Sequence, residues 1–150
     1  MGYIREITID APVDAVWRAF ASPGELERWL APHAEVELRV GGAFELSWGD
    51  GGDTKGCHIV ALEPERRVRF EWRGKRDFDE LFALPHGPTE VEVRLEARDG
   101  ATHVTVEQPE TRRGREWAAY DEWMAEAWED KLQSLRRTCE GSADSPYFRE

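Results

Sequence analysis

The chain is poor in the residues that serve redox and metal chemistry. Its 150 residues hold two cysteines and four histidines. Cys57 and Cys139 form no CxxC pair, so no disulfide framework or zinc knuckle is implied. Two reduced, buried thiols and a cytoplasmic home are the expectation. His33, His58, His86 and His103 show no HxH or HxxxH spacing. Cys57 and His58, adjacent on an expected strand, point to opposite faces and cannot share a metal. No metal and no cofactor is expected. P-loop, GxGxxG and GxSxG signatures are also missing, which removes the phosphate-cradling, dinucleotide and nucleophile-elbow classes. No apolar run reaches the roughly 18 residues that would cross a bilayer. The opening "MGYIREITID" carries Arg5, Glu6 and Asp10 where a secretory leader would be apolar. Neither membrane insertion nor secretion is therefore expected. Cations are scarce: 20 Lys and Arg stand against 31 Asp and Glu, for a formal net charge of −11. A nucleic-acid backbone or an anionic membrane surface needs clustered basic residues, so neither is expected as a partner.

What the chain does have is aromatic residues in two different periods. The N-terminal part reads as a strand, Ile4 to Ile9, with Ile7 and Ile9 on one face. A helix starting at Pro12 follows, with Val13, Val16, Trp17 and Phe20 at i, i+3, i+4 and i+7. In "SPGE", Ser22 and Glu25 form an expected capping box for a short second helix that buries Leu26, Trp29 and Leu30 and ends at Pro32. The period then becomes two. Val36, Leu38 and Val40 alternate with charges, Gly41-Gly42 supplies a two-residue hairpin turn, and Phe44, Leu46 and Trp48 share one face of the return strand. Further strands are expected from Gly56 to Leu62, around Val68, Phe70 and Trp72, around Val91, Val93 and Leu95, and around Thr102, Val104 and Val106. Asp99-Gly100 is the clearest hairpin turn. The stretch from Gly74 to Pro88 reads as a loop holding Phe78, Leu81, Phe82 and Leu84. From about Arg113 to Cys139 the period is helical again, with Trp117, Tyr120, Met124, Trp128, Leu132 and Leu135 on one stripe and Trp123 off it. Residues 141–150 form a tail that Tyr147 and Phe148 can pack. Glu90, Glu92, Arg94 and Glu96 alternate outward as a solvated face.

This order implies one α+β domain over residues 1–150. Its expected architecture is a seven-stranded antiparallel sheet wrapped around the long C-terminal helix, with two short helices after the first strand. One face of each strand needs covering, and that helix is the only element long enough to do it.

The segments "IDAPVDAVWRAFASPGELERWLAP", "RVGGAFEL", "GCHIVALEPERRVRFEW" and "EAWEDKLQSLRRTCEG" carry a family resemblance across nearly the whole chain. It resembles the START-like, SRPBCC superfamily with the helix-grip fold. Within that superfamily it is most similar to the bacterial group named for the C-terminal domain of the activator of the heat-shock-protein-90 ATPase. Polyketide cyclases and plant pollen-allergen-like carriers are related members. The resemblance implies a hydrophobic cavity between sheet and long helix. The segment from Gly74 to Pro88 is longer than the family pattern.

Sequence and resemblance together suggest binding of an apolar small molecule or lipid, without catalysis of its own. The expected wall is Phe44, Leu46, Trp48, Phe70, Trp72, Trp117, Tyr120 and Met124, with His58 as polar contact. Trp17, Phe20, Trp29 and Trp128 read as ordinary core. The alternative is a cyclase-like or hydratase-like enzyme in the same cavity, with His58 and Asp121 as general acid and base. A hydrogen-bonded, buried histidine and a solvated aspartate are the plainer reading of that pair. A third reading, a chaperone-binding or other protein-interaction module, ranks last.

Overall fold

Period-two and period-3.6 patterns partition the chain as expected in most places. The computed structural model describes residues 2–48, 53–73, 76–83, 87–110 and 112–140, with only the backbone of residues 76, 77 and 79. The expected tail at 141–150, with Tyr147 and Phe148, and also His86 and Leu84, lie outside the described residues. Strand β1 (Ile4–Ile9) leads into helices α1 (Val13–Ala21) and α2 (Pro23–Trp29). Strands β2 (His33–Val36), β3 (Phe44–Ser47), β4 (Ile59–Glu63) and β5 (Arg67–Trp72) follow. A 3-10 helix (Arg76–Phe82), strands β6 (Thr89–Arg98) and β7 (Ala101–Glu107), and helix α3 (Arg115–Glu140) complete the order.

All seven strands pair antiparallel, but their ladders divide. Five form one sheet in the order β1-β7-β6-β5-β4, and β2 pairs only with β3. The two sheets meet at the Ala43–His58 bridge, flanked by backbone bonds from Gly41 N–H to the Ile59 carbonyl, Ile59 N–H to the Gly42 carbonyl and Phe44 N–H to the Cys57 carbonyl. Thr54 completes the junction. Its hydroxyl accepts from the Leu46 amide at 2.8 Å and donates to the Phe44 carbonyl at 3.2 Å. One side chain thus satisfies backbone groups of β3 that a neighbouring strand would otherwise serve.

The expected hairpin at Gly41-Gly42 is corrected. Strand β2 ends at Val36, which pairs with Phe44, so residues 37–43 form a longer connection. The Glu37 carboxylate accepts from the Ala43 amide at 3.2 Å, and the loop closes through Arg39 N–H to Glu37 O and Gly42 N–H to Arg39 O. Leu38 and Val40 are consequently exposed. Gly41 has a φ of +85°, and a Cβ on Gly42 would lie 2.2 Å from the Glu37 carbonyl oxygen. Both glycines are needed, though for a wider loop than a two-residue turn. The capping box is corrected too. Ser22 precedes α2 but makes no side-chain cap, and Glu25 turns to Arg28 at 2.9 Å instead of reaching back.

Asp99 and Gly100 do close a two-residue hairpin, with φ values of +52° and +84° between the paired residues Arg98 and Ala101. Trp117, Tyr120, Met124, Trp128, Leu132 and Leu135 bury one stripe of α3. Arg5 to Glu129 at 3.0 Å and the Asp10 amide to Glu140 at 2.7 Å tie β1 to that helix.

The outward face of β5, β6 and β7 is a charge ladder. Glu92 sits at its centre, within 3.3 Å of Arg67, 3.7 Å of Arg69 and 2.9 Å of Arg94. Burial pushes the Glu92 carboxyl upward, but Arg94 and Arg67 outweigh it and hold it below its ordinary pKa. A carboxylate with a depressed folded pKa stabilises the fold above its unfolded pKa and loses that contribution as pH falls. Glu92→Gln is therefore expected to cost about 1 kcal/mol at pH 7. The gap to the parent should close on acidification below about pH 4. Urea unfolding at pH 7 and pH 3 checks this; an equal gap at both would place Glu92's role elsewhere.

Candidate functional site

Alternation along β3 and β5 aims Phe44, Leu46, Phe70 and Trp72 at the same interior. Phe44 stacks on Phe70, with ring centroids 4.1 Å apart and 18° between planes. Trp72 lies 5.5 Å from Trp128 of α3 and 5.8 Å from Trp48. Helix α3 adds Trp117, Tyr120 and Met124 from the opposite side, all buried. The 3-10 helix closes one end. Phe82 meets Trp117 and Tyr120 edge-on at 5.7 and 5.3 Å, and Phe78 meets Tyr120 at 5.4 Å and Trp123 at 5.9 Å. Seven of the eight expected wall residues thus share one interior, while Trp48 is half-buried at its rim. The rings occupy that interior in mutual contact.

Polar satisfaction divides the indoles into two kinds. Trp29 donates to the Ala19 carbonyl at 2.9 Å, and Trp48 donates to the Leu30 carbonyl at 3.0 Å. Trp72 Nε1 and Trp128 Nε1 are buried without a hydrogen-bond partner, and so is the Tyr3 hydroxyl. Trp128 Nε1 approaches the Tyr3 oxygen without closing a bond of good geometry. Burial, with Tyr120 and Asp121 nearby, pushes the Tyr3 pKa well above its usual value, so the phenol keeps its proton. A buried donor without an acceptor costs on the order of 1–3 kcal/mol. Orphans of this kind mark places where another group belongs. Tyr120 differs. Thr89 Oγ1 donates to the Trp72 carbonyl at 3.1 Å, which leaves its oxygen to accept from the Tyr120 hydroxyl at 2.9 Å.

The structure separates the two candidate acid–base residues. His58 is exposed on the outer face, where Nδ1 meets Glu71 Oε1 at 3.2 Å. It follows the inward Cys57 and pairs beside the outward Glu71, so the strand pleat turns it away from the interior. Its expected place as polar contact is corrected. Asp121 is corrected in the other sense: it is buried, not solvated, and its Oδ1 accepts from Gln108 Nε2 at 3.0 Å. Burial raises its pKa, and the Gln108 bond opposes the rise.

Sequence reasoning left Tyr3, Thr89, Phe78 and Phe82 out of the site and placed Trp128 in the plain core. Tyr3 shares the period-two face of Ile7 and Ile9, and Phe78, Leu81 and Phe82 stand at i, i+3 and i+4. Those signals were present. Nothing local distinguishes an indole that will find a carbonyl from one that will not.

The two cysteines are free, and burial pushes their thiols up to about 12 for Cys57 and about 11 for Cys139. Among the described residues no group of three or more His, Cys, Asp or Glu is placed to hold a metal. Nor is any helix among them long and apolar enough to cross a membrane. A separate cleft of about 260 Å³ lies at the β2–β3 hairpin between Glu35, Glu45, Asp53 and Lys55. Ala34 and Leu46 line it as well, beside these charged side chains.

Comparison with known proteins matches residues 10–140 to a family model described as Activator of Hsp90 ATPase homolog 1-like protein. A search of curated proteins found no match. Among solved structures, MLL2253 from Mesorhizobium loti is 24% identical with a TM-score of 0.76, covering 90% of this chain and 93% of its own. CalU16 from Micromonospora echinospora is 27% identical with a TM-score of 0.70, covering 97% of this chain and 77% of its own. The Aha1 dimer from Colwellia psychrerythraea is 19% identical with a TM-score of 0.74, covering 94% and 97%. These likenesses agree with the helix-grip arrangement of sheet and long helix.

Proposed function

From the premise that the chain belongs to the Activator of Hsp90 ATPase homolog 1-like family, we propose that it binds a largely apolar small molecule between sheet and α3. The observation that carries this reading is the set of buried donors without acceptors: Tyr3 OH, Trp72 Nε1 and Trp128 Nε1. An ordinary core satisfies such groups, as this chain does for Trp29 and Trp48. Rings of Phe44, Phe70, Phe78 and Phe82 supply the apolar wall around them. Phe78 and Phe82 come from a short 3-10 helix rather than the sheet, so they are the side chains that yield most easily to an incoming ligand.

No catalytic step is assigned. His58 and Asp121 point into different environments and cannot exchange a proton across one substrate. A thermal-shift screen against fatty acids, polyketide-like aromatics and flavonoids tests the reading, with native mass spectrometry of the freshly purified protein beside it. Aromatic hits that also alter tryptophan fluorescence are expected. A screen without hits, and a mass equal to that of the bare chain, would end it.

A further inference from the structure

Three of the unsatisfied atoms of the interior, the Tyr3 hydroxyl and the Trp72 and Trp128 indole nitrogens, are able to give a proton, and two of them can do nothing else; Gln108 Oε1 is an acceptor left over beside Asp121. An indole N–H is a donor with no acceptor capacity. Trp72 and Trp128 each present one, 5% and 2% exposed as residues, with rings 5.5 Å apart. The Tyr3 hydroxyl, on a residue 8% exposed, lies beside the Trp128 indole. Even where Trp128 gives its proton to the Tyr3 oxygen, the proton of Tyr3 itself still lacks an acceptor. The other polar groups nearby are engaged. Tyr120 is bonded to Thr89, and Asp121 to Gln108. Arg112 lies over the Trp117 ring and donates to the Gly87 and Pro88 carbonyls.

We propose that the interior selects a ligand whose buried polar group is a neutral hydrogen-bond acceptor, a ketone- or quinone-type carbonyl oxygen, over a carboxylate. The inference rests on the proposed binding function and narrows it to a ligand class. A carbonyl oxygen has two lone pairs and brings no proton of its own, so it satisfies two of the orphaned donors at once. A carboxylate would accept the same bonds but would bury its charge beside Asp121, and the orphaned donors that would meet it are all neutral. A pure hydrocarbon would leave the donors as they are.

The test uses three probes that share one ring system: 2-acetylnaphthalene, 2-ethylnaphthalene and 2-naphthoate. Equilibrium dialysis against the full chain at pH 7 compares their affinities. The ketone is expected to bind on the order of tenfold more tightly than the hydrocarbon, the size of one or two well-made neutral hydrogen bonds. The carboxylate should bind more weakly than either. The infrared C=O stretch of the bound ketone should fall below its value in alkane, and Tyr3→Phe should move it back upward and narrow the ketone-to-hydrocarbon ratio. Trp72→Phe is a second variant with the same expectation. Naphthoate binding as tightly as the ketone would overturn the inference and leave the binding function standing. So would a ratio that neither variant moves. Failure of all three probes to bind would remove the binding function itself, and the inference with it.

Discussion

Phe20→Ala is expected to lower the unfolding free energy by about 3–5 kcal/mol, the usual cost of removing a large ring from a closed core. Phe20 is 2% exposed on α1 and stands edge-on to Trp29 of α2, with centroids 5.1 Å apart. Trp29 in turn lies 6.5 Å from Trp128, so the lost ring would open a gap between both short helices and α3. For a domain of this size roughly 2–4 °C accompanies each kcal/mol. The thermal midpoint should therefore fall by about 6–20 °C. Asp99→Ala is the comparison. Its φ of +52° is a conformation that aspartate tolerates better than alanine, so a cost of about 1 kcal/mol is expected. Denaturant unfolding ranks the two. The reverse order would mean that α1 packs less tightly on its neighbours than the ring geometry indicates.

Saturating ligand should raise the thermal midpoint by about 5–10 °C. Ligand at 100 times its dissociation constant, binding only the folded state, adds about 2.7 kcal/mol. The same size scaling converts that to degrees. Trp72→Phe should reduce the shift, measured from the variant's own baseline, because the variant loses both an unsatisfied N–H and the ring between Trp48 and Trp128. Glu92→Gln should keep the whole shift, since Glu92 lies in the outward charge ladder. A shift that follows Glu92 and ignores Trp72 would place the ligand on the outer face of the sheet.

Much of this architecture was legible as period. Ile7 and Ile9, Phe44 and Leu46, and Phe70 and Trp72 share faces because a strand alternates its side chains. Trp117, Tyr120, Met124 and Trp128 share a stripe because a helix turns 100° per residue. Asp99-Gly100 announced its turn by conformational preference alone. Those rules act within one element. They say which residues travel together, and they also implied that sheet and long helix must meet, since neither apolar face can stay wet.

Tertiary structure decided everything that depends on a partner far along the chain. Val36 pairs with Phe44 rather than extending its strand, because the Glu37 carboxylate takes the Ala43 amide that a longer ladder would have used. His58 faces outward because the sheet register sets it beside Glu71. Phe78 and Phe82 join the interior because a 3-10 helix folds back onto α3. The division of the tryptophans belongs here as well. Trp29 and Trp48 end within reach of the Ala19 and Leu30 carbonyls, whereas Trp72 and Trp128 end facing rings and one phenol. An indole has the same hydrophobicity in all four places. Hydrogen bonds are directional and short, so their satisfaction depends on distances of a few ångströms between elements, which no local pattern in the sequence specifies.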